Sequence, residues 1–134
     1  MLRTGKIWPS KSSAGGPIFF AKQANDKLHI VVDYRAFNSI TIKDKYPLPL
    51  ITTLMEQVET SQVFSKLDLK LGFNLPRIAE GDEWKTVFKT CYGLYEYTVM
   101  LFGLTNAPSG FQRHLNNILS EKIDCSVLIY INDI

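Results

Sequence analysis

The stretch "LIYINDI", residues 128–134, decides how this chain is understood. Its apolar and aromatic residues lead to Asn132 and Asp133, which predicts a buried strand with polar side chains at its tip. A second aspartate, Asp68, ends the alternating run "QVFSKLD", which also predicts a strand. An aspartate at the end of a strand is often only a turn former. Two of them on adjacent strands, however, would form an oxygen-rich site.

Two hairpins are predicted along the chain. The β-rich runs at residues 18–22 and 27–34 flank Asn25 and Asp26, a pair that suits a turn. Residues 80–103 hold two runs of aromatic and β-branched residues around a second turn. Antiparallel pairing of neighbouring strands follows from such short connections.

Two helices complete the predicted order. Apolar spacing predicts one helix over residues 49–59 and another over residues 105–123, with Asn106 as N-cap and Pro108 in the first turn. Residues 5–17, rich in Gly, Pro and Ser, are predicted to be irregular. The order hairpin, helix, strand, hairpin, helix, strand predicts an α+β fold with helices on one face of a largely antiparallel sheet. The buried stripe of the second helix is predicted from its spacing to be Phe111, Leu115, Ile118 and Leu119.

Composition and charge narrow the possible functions. The chain has 46% hydrophobic and 21% charged residues, which is typical of a globular protein rather than a disordered one. Residues 1–45 hold eight Lys and Arg against three acids, so this part could face phosphates or be an ordinary solvated surface. No run reaches the ~18 apolar residues of a membrane span, and no secretory signal opens the chain. We therefore expect an intracellular protein without a membrane partner.

The two aspartates indicate metal-dependent chemistry. Side by side on adjacent strands, Asp68 and Asp133 would suit Mg²⁺, which typically takes one or two carboxylates plus substrate phosphates. In a two-metal site the ions activate a hydroxyl and stabilise the leaving oxygens. Phosphoryl transfer to a growing strand is therefore the predicted reaction class.

Four blocks of sequence, taken in order, resemble one known family. The blocks are "VVDYRAFNSITIKDKYPLPLI", "FSKLDLKLGFN", "EGDEWKTVFKTCYGLYEY" and "FGLTNAPSGFQR". They closely resemble the fingers and palm of a reverse transcriptase from a gypsy-type LTR retrotransposon polyprotein, and four agreeing blocks are more specific than one motif. The resemblance implies an RNA-directed DNA polymerase of the right-hand type, with fingers over about residues 1–60 and palm over about residues 61–134. It also implies an RNA or DNA template-primer, deoxynucleotides, Mg²⁺ or Mn²⁺, and a place in a cytoplasmic particle or the nucleus.

The resemblance assigns roles to individual residues. Asp68 and Asp133 match metal-binding, catalytic carboxylates. Phe73 matches an aromatic steric gate that disfavours a 2′-hydroxyl on the incoming sugar. Lys22 matches a fingers lysine that contacts the triphosphate, a role that suits a flexible point charge. The residues expected near the template-primer or nucleotide are Phe102, Gly103, Pro108 and Gln112.

Two pairs of residues receive structural interpretations instead. Asp33 and Arg35, within the "VDYR" part of the first block, are interpreted mainly as residues that pair structurally with neighbours. Cys91 and Cys125 form neither a disulfide framework nor a close-spaced metal motif, so they are predicted to be buried free thiols.

Asn132 is where this copy departs from the family pattern. The family shows a tyrosine, an apolar residue and two aspartates on a tight turn, whereas "YIND" has Asn132 at the first, catalytic aspartate position. An asparagine oxygen can coordinate a cation but supplies no negative charge, so we expect weakened metal binding and severely impaired catalysis. The chain also stops before the family's thumb, so we expect a truncated polymerase. Other departures point the same way: Trp8, His29, Pro76 and Leu101.

Two further hypotheses stay open. A domesticated or remnant module could bind nucleic acid or a protein without catalysis, through the basic fingers region. A generic two-carboxylate nuclease is the weaker hypothesis, because Asp68 and Asp133 lie in no cluster of acids or histidines and the motif order is that of a polymerase.

Overall fold

The computed structural model divides into two compact units, each built from two separate segments of the chain. The first unit comprises Met1–Ile42 and Asn74–Thr105, and the second comprises Lys43–Phe73 and Asn106–Ile134. The predicted division into fingers and palm near residue 60 stays a prediction. The structure describes residues 2–22, 26, 28–59, 61–123 and 125–134.

A five-stranded sheet lies in the first unit. The strands are β1 (Ile7–Pro9), β2 (Gly16–Lys22), β3 (Leu28–Val32), β4 (Phe88–Thr90) and β5 (Gly93–Tyr97). Their order in the sheet is β1-β5-β4-β2-β3, and every neighbouring pair is antiparallel except β2 and β4. The prediction of a largely antiparallel sheet is confirmed. Its buried core consists of Val32, Tyr34, Phe88, Tyr97 and Leu101.

The first predicted hairpin is confirmed as the β2–β3 pair. Phe20 lies opposite Ile30, and the pairing runs from Ile18 to Lys22 on β2. The proposed turn residue Asp26 has a φ of +60°, in the left-handed region where aspartate is tolerated. Asn25, its proposed turn partner, lies outside the described residues.

The second predicted hairpin is confirmed in β4 and β5, although both strands are shorter than expected: β5 ends at Tyr97, and the start of the first strand is a turn. Residues Glu83–Thr86 form a 3-10 turn instead of strand. The reason is local hydrogen bonding: Thr86 Oγ1 donates to the carbonyl of Glu83, and Oε2 of Glu83 accepts from the backbone of Gly81. Extended structure begins only at Phe88.

Strand β1 lies in the stretch that was predicted to be irregular, so that prediction is wrong at residues 7–9 and also at residues 16–17, where β2 begins. Trp8 lies opposite Glu96 on β5, and Trp8 Nε1 donates to Oε1 of Glu96 at 2.5 Å. Cross-strand pairs of this kind stabilise a short strand whose local composition favours a loop.

Three α-helices occur in the described residues. Helix α1 (Arg35–Ile40) was not predicted, whereas α2 (Ile51–Glu59) and α3 (Ala107–Ile118) confirm the two expected helices. On α3 the predicted stripe is buried at Phe111 and Leu115, but Ile118 is 62% exposed because it lies in the last turn.

The two runs that carry the aspartates do not form the predicted strands. Over residues 62–70 and 125–134, all of which the structure describes, pairing is limited to isolated bridges, one of which joins Asp68 to Asp133. The bridge is extended by backbone bonds between Leu67 and Ile134 of 2.7 and 3.0 Å. A tight turn at the end of the chain interrupts further pairing, because Tyr130 and Asp133 bond to each other at 2.9 and 3.0 Å.

Both cysteines are free, as predicted, but both are exposed, so the prediction of buried thiols is wrong. Cys91 lies in the turn between β4 and β5, and Cys125 lies in a turn after α3. Among the residues that the structure describes, no helix is both long enough and apolar enough to cross a membrane.

Candidate functional site

Asp68 and Asp133 are brought together within the second unit. They are the paired residues of an antiparallel bridge, flanked by the Leu67–Ile134 bonds and by a 3.2 Å bond from the amide of Leu69 to the carbonyl of Asn132. Directly opposite residues in an antiparallel pair project from the same face, with Cβ atoms ~5 Å apart. The expectation that these two carboxylates lie side by side is therefore confirmed.

Each carboxylate has a hydrogen-bonding neighbour from the protein. Asn132 Nδ2 donates to Oδ1 of Asp68 at 3.3 Å, and Lys66 Nζ lies 3.3 Å from Oδ1 of Asp133. The Lys66 and Asp133 side chains are 74% and 48% exposed, so their ion pair is solvated and weak. Asn132 thus presents its amide N–H to Asp68 rather than its oxygen.

The donor set suits one divalent cation better than two. Mg²⁺ commonly takes one or two protein carboxylates and fills its other positions with water and phosphate oxygens, which Asp68 and Asp133 could satisfy. Within the described ranges, no group of three or more His, Cys, Asp or Glu side chains is placed to hold a metal ion. The residues therefore fit a weak, two-carboxylate site.

Gln112 holds the turn that carries Asn132 and Asp133. Its side chain is 1% exposed; Nε2 donates to the carbonyl of Ile129 at 3.1 Å, and Oε1 accepts from the amide of Ile131 at 2.8 Å. These contacts are all with the protein itself, and the predicted contact of Gln112 with nucleotide stays a prediction.

Phe73 is buried against α3. It is 6% exposed and stacks on Phe111 of α3, with ring centroids 4.8 Å apart and an interplanar angle of 20°. The approach is tight, because a Cβ at the neighbouring Gly72 would lie 2.9 Å from the Phe111 ring. These contacts are those of a core aromatic, and the steric-gate role stays a prediction.

The other predicted substrate residues lie mainly in the first unit. Lys22 ends β2 and pairs with Asp26 at 2.7 Å, and Phe102 is 67% exposed. Gly103 has a φ of +97°, a conformation that favours glycine. Pro108 belongs to the second unit, where it occupies the first turn of α3. Their substrate contacts stay predictions.

Asn38 is a positioning residue that the sequence did not identify. Its Nδ2 donates to the carbonyl of Gly103 at 2.6 Å, and its Oδ1 accepts from the amide of Thr105 at 2.9 Å. It thus fixes the loop that leads into the "TNAPSGFQ" segment. Asn38 lies in the first of the four sequence blocks, on the short helix α1. Its role could not be inferred there, because its partners are more than sixty residues away.

The interpretation that Asp33 and Arg35 pair structurally with neighbours is confirmed, and the structure shows that they pair with each other. Arg35 donates from Nε and a terminal nitrogen to the carboxylate of Asp33 at 3.0 and 2.8 Å, and its backbone amide donates at 3.0 Å. These bonds stabilise the ionised form, and they lower the pKa of Asp33 to about 2.

Comparison with known proteins identifies the family. The family described as "Reverse transcriptase (RNA-dependent DNA polymerase)" matches residues 20–134. The chain belongs to the reverse transcriptase family. Among relatives of this reverse transcriptase domain, the Transposon Tf2-3 and Tf2-7 polyproteins of Schizosaccharomyces pombe are 39% and 38% identical over 133 residues. The match covers 99% of this chain and 10% of each relative, so the chain spans about a tenth of their length.

Solved structures share the fold of this reverse transcriptase domain. The foamy viral protease-reverse transcriptase in complex with an RNA/DNA hybrid aligns with a TM-score of 0.81 at 22% identity, over 98% of this chain and 18% of that one. A form in complex with double-stranded DNA aligns with a TM-score of 0.83 at 24% identity, over 98% and 23%. The predicted α+β fold of right-hand polymerase type and the resemblance to a retrotransposon reverse transcriptase are confirmed.

Proposed function

We propose that this domain is the fingers and palm part of an RNA-directed DNA polymerase in which nucleotidyl transfer is impaired. The observation that carries the proposal is the antiparallel bridge between Asp68 and Asp133. It puts two carboxylates on one face, in a family whose name describes polymerisation of DNA on RNA.

The carboxylates would hold Mg²⁺ or Mn²⁺. A bound divalent ion supplies activation of the primer hydroxyl and stabilisation of charge on the transferred phosphoryl group. Asp68 and Asp133 would provide the negative charge that holds the cation, and the resemblance assigns Lys22, a flexible point charge, to the triphosphate. Phe73, to which the resemblance assigns sugar discrimination, is held in place by its stacking on Phe111.

Impairment follows from the contacts of Asn132. A carboxylate at this position would add negative charge beside Asp68, whereas the amide of Asn132 donates a hydrogen bond to it. Lys66 further offsets the charge of Asp133. Both contacts reduce the attraction for a cation, because the net negative potential at the site falls.

The partner we propose is a template-primer of RNA or DNA with deoxynucleotides. Support comes from the fold shared with foamy viral reverse transcriptases, which were solved with an RNA/DNA hybrid and with double-stranded DNA. Further support comes from residues 1–45, which hold eight basic residues against three acids. Cationic side chains neutralise backbone phosphates and give binding that weakens with salt.

Primer extension tests the proposal. The parent protein, Asn132→Asp, and Asn132→Asp combined with Asp68→Asn are assayed on one RNA template with a DNA primer, in Mg²⁺ and in Mn²⁺. We expect Asn132→Asp to extend the primer at least about 100-fold faster than the parent, since a group acting in the transition state has effects of this size. The Asp68→Asn change should abolish the gain. Equal rates for the parent and Asn132→Asp would overturn the proposed impairment.

A module that binds nucleic acid without catalysis is the second candidate. The observation in its favour is that both carboxylates are contacted by protein donors, Asn132 and Lys66. Fluorescence anisotropy with a labelled RNA/DNA hybrid separates the two functions. Binding by the parent and by Asn132→Asp, with extension by neither, would support this candidate and overturn the polymerase proposal.

A further inference from the structure

We propose that Gln112 is a positioning residue that fixes the turn formed by residues 130–133, and through it the directions of Asn132 and Asp133. The inference rests on the proposed function in taking these side chains as the active site. It gives Gln112 a role inside the protein, distinct from the predicted contact with nucleotide.

The side-chain amide of Gln112 brackets Tyr130. Its Nε2 donates to the carbonyl of Ile129 at 3.1 Å, and its Oε1 accepts from the amide of Ile131 at 2.8 Å. A glutamine can do both because it carries a donor and an acceptor on one rigid planar group. One buried side chain thus clamps the backbone on both sides of the residue that opens the turn.

The turn needs such a clamp because of its backbone conformation. Ile131 has a φ of +55°, which is rare for a β-branched residue and unfavourable for its side chain. A residue persists in such a conformation only when the surrounding structure over-determines it. The bonds between Tyr130 and Asp133 close the turn from inside, and Gln112 holds it from the helix.

Gln112 is itself fixed by a second layer of contacts. Its Nε2 also donates to Oδ1 of Asn116 at 2.9 Å, and Asn116 Nδ2 donates to the hydroxyl of Tyr46 at 2.8 Å. Arg113 lies 4.8 Å from the centre of the Tyr46 ring and bonds both carboxylate oxygens of Asp44 at 2.7 and 2.8 Å. The rotamer of Gln112 is therefore held by contacts outside the turn as well.

Hydrogen exchange measured by NMR in the metal-free protein tests the clamp. Gln112→Met keeps a similar volume but removes both bonds to the turn. We expect the Ile131 amide to exchange about tenfold faster relative to amides within α3, because it loses its acceptor. Leu115→Ala is the control: Leu115 is 4% exposed on the same helix, so its truncation should destabilise the unit without changing that ratio. An unchanged ratio in Gln112→Met would overturn the proposal.

A measurement on the parent keeps the test decisive if Gln112→Met does not fold. The Gln112 side-chain amide protons should exchange slowly and show hydrogen-bond coupling to the carbonyl of Ile129. Fast exchange with no coupling would overturn the clamp.

Metal affinity separates this inference from the proposed function. In the Asn132→Asp background, Gln112→Met should weaken Mn²⁺ binding about tenfold, the effect typical of residues that orient metal ligands. If Asn132→Asp binds no Mn²⁺ at all, the proposed function fails, while the exchange ratio at Ile131 still decides the role of Gln112. If Mn²⁺ affinity is unchanged but the exchange ratio rises, Gln112 holds the turn without positioning the ligands, and the proposal is overturned.

Discussion

The side-chain amide of Asn132 donates a hydrogen bond to the carboxylate of Asp68, with 3.3 Å between Nδ2 and Oδ1. Two carboxylates at these positions would repel each other unless a cation lay between them. The asparagine replaces that repulsion with a neutral bond that needs no cation. Because the Asp68 carboxylate accepts this hydrogen bond, a bound cation should add less to the stability of the site than it would between two carboxylates.

Thermal unfolding should reveal that a neutral hydrogen bond has replaced charge repulsion at this site. Asn132→Asp is expected to lower the free energy of unfolding by about 1 kcal/mol or less in EDTA, because like charges then face each other. Mn²⁺ at about 100 times its Kd should stabilise the variant by about 2.7 kcal/mol, while the parent should respond much less. Asn132→Ala serves as the control, since it removes the bond without adding charge. Equal Mn²⁺ responses in the parent and Asn132→Asp would contradict this account.

Lys66 should compete with cations for Asp133. In the Asn132→Asp background, Lys66→Gln is expected to tighten Mn²⁺ binding about two- to fivefold, the range that a solvated ion pair supports. The gain should shrink as salt rises, because exposed charges are screened. Titration calorimetry at two salt concentrations measures both effects, with Lys70→Gln, another exposed lysine close by, as the matched control. A similar gain from Lys70→Gln would mean that general charge, not the contact with Asp133, is responsible.

The pairing of Asp68 with Asp133 could be predicted from the sequence, whereas the strands predicted around them do not form. Each aspartate lies at the end of an apolar run, and such runs tend to meet in a sheet. The length of the pairing depends on the backbone conformation of the residues that flank each aspartate. Here the turn formed by residues 130–133, with Ile131 at positive φ, limits the pairing to an isolated bridge.

Side-chain partners distant in sequence were the least predictable part of the site. Asn106 begins α3 as expected, but it makes no capping bond within the helix, and its Oδ1 accepts from the amide of Asp44 instead. Gln112 was expected near nucleotide because the resemblance placed it there, yet it bonds to backbone 17 and 19 residues further along. The donor and acceptor groups of a side chain are known from the sequence, whereas its hydrogen-bond partner depends on which residues the fold brings near it.

Tyr34 should make the first unit sensitive to alkali. It is 4% exposed, and its hydroxyl donates to the carbonyl of Thr86 at 2.7 Å. Burial, and then the nearby Tyr97, raise the pKa of Tyr34. Because the pKa is raised in the folded protein, the stabilisation is complete below about pH 10 and is lost as pH rises above that value.

Tyr34→Phe is expected to lower the free energy of unfolding by about 1–2 kcal/mol at neutral pH, since a buried carbonyl loses its donor. It should also flatten the loss of stability above about pH 10, although only in part, because burial raises the pKa of Tyr97 as well. Urea unfolding across this pH range measures both effects. Tyr92→Phe is the control, as Tyr92 is 88% exposed; if it flattens the profile equally, Tyr34 is not the source.

Asp33 should titrate far below an ordinary aspartate. The side chain of Arg35 bonds its carboxylate, the backbone amide of Arg35 adds a further bond, and together they lower the pKa from 3.8 to about 2. Because the pKa is lowered in the folded protein, this stabilisation is present above an ordinary aspartate's pKa and is lost as the pH falls from 3.8 to about 2. Arg35→Gln should return the pKa toward 3.8 without reaching it, since the backbone bond remains. Carboxyl-carbon NMR titration measures both values, and Arg113→Gln, whose arginine pairs with Asp44, should leave Asp33 unchanged. A parent value near 3.8 would show that the pair does not persist in solution.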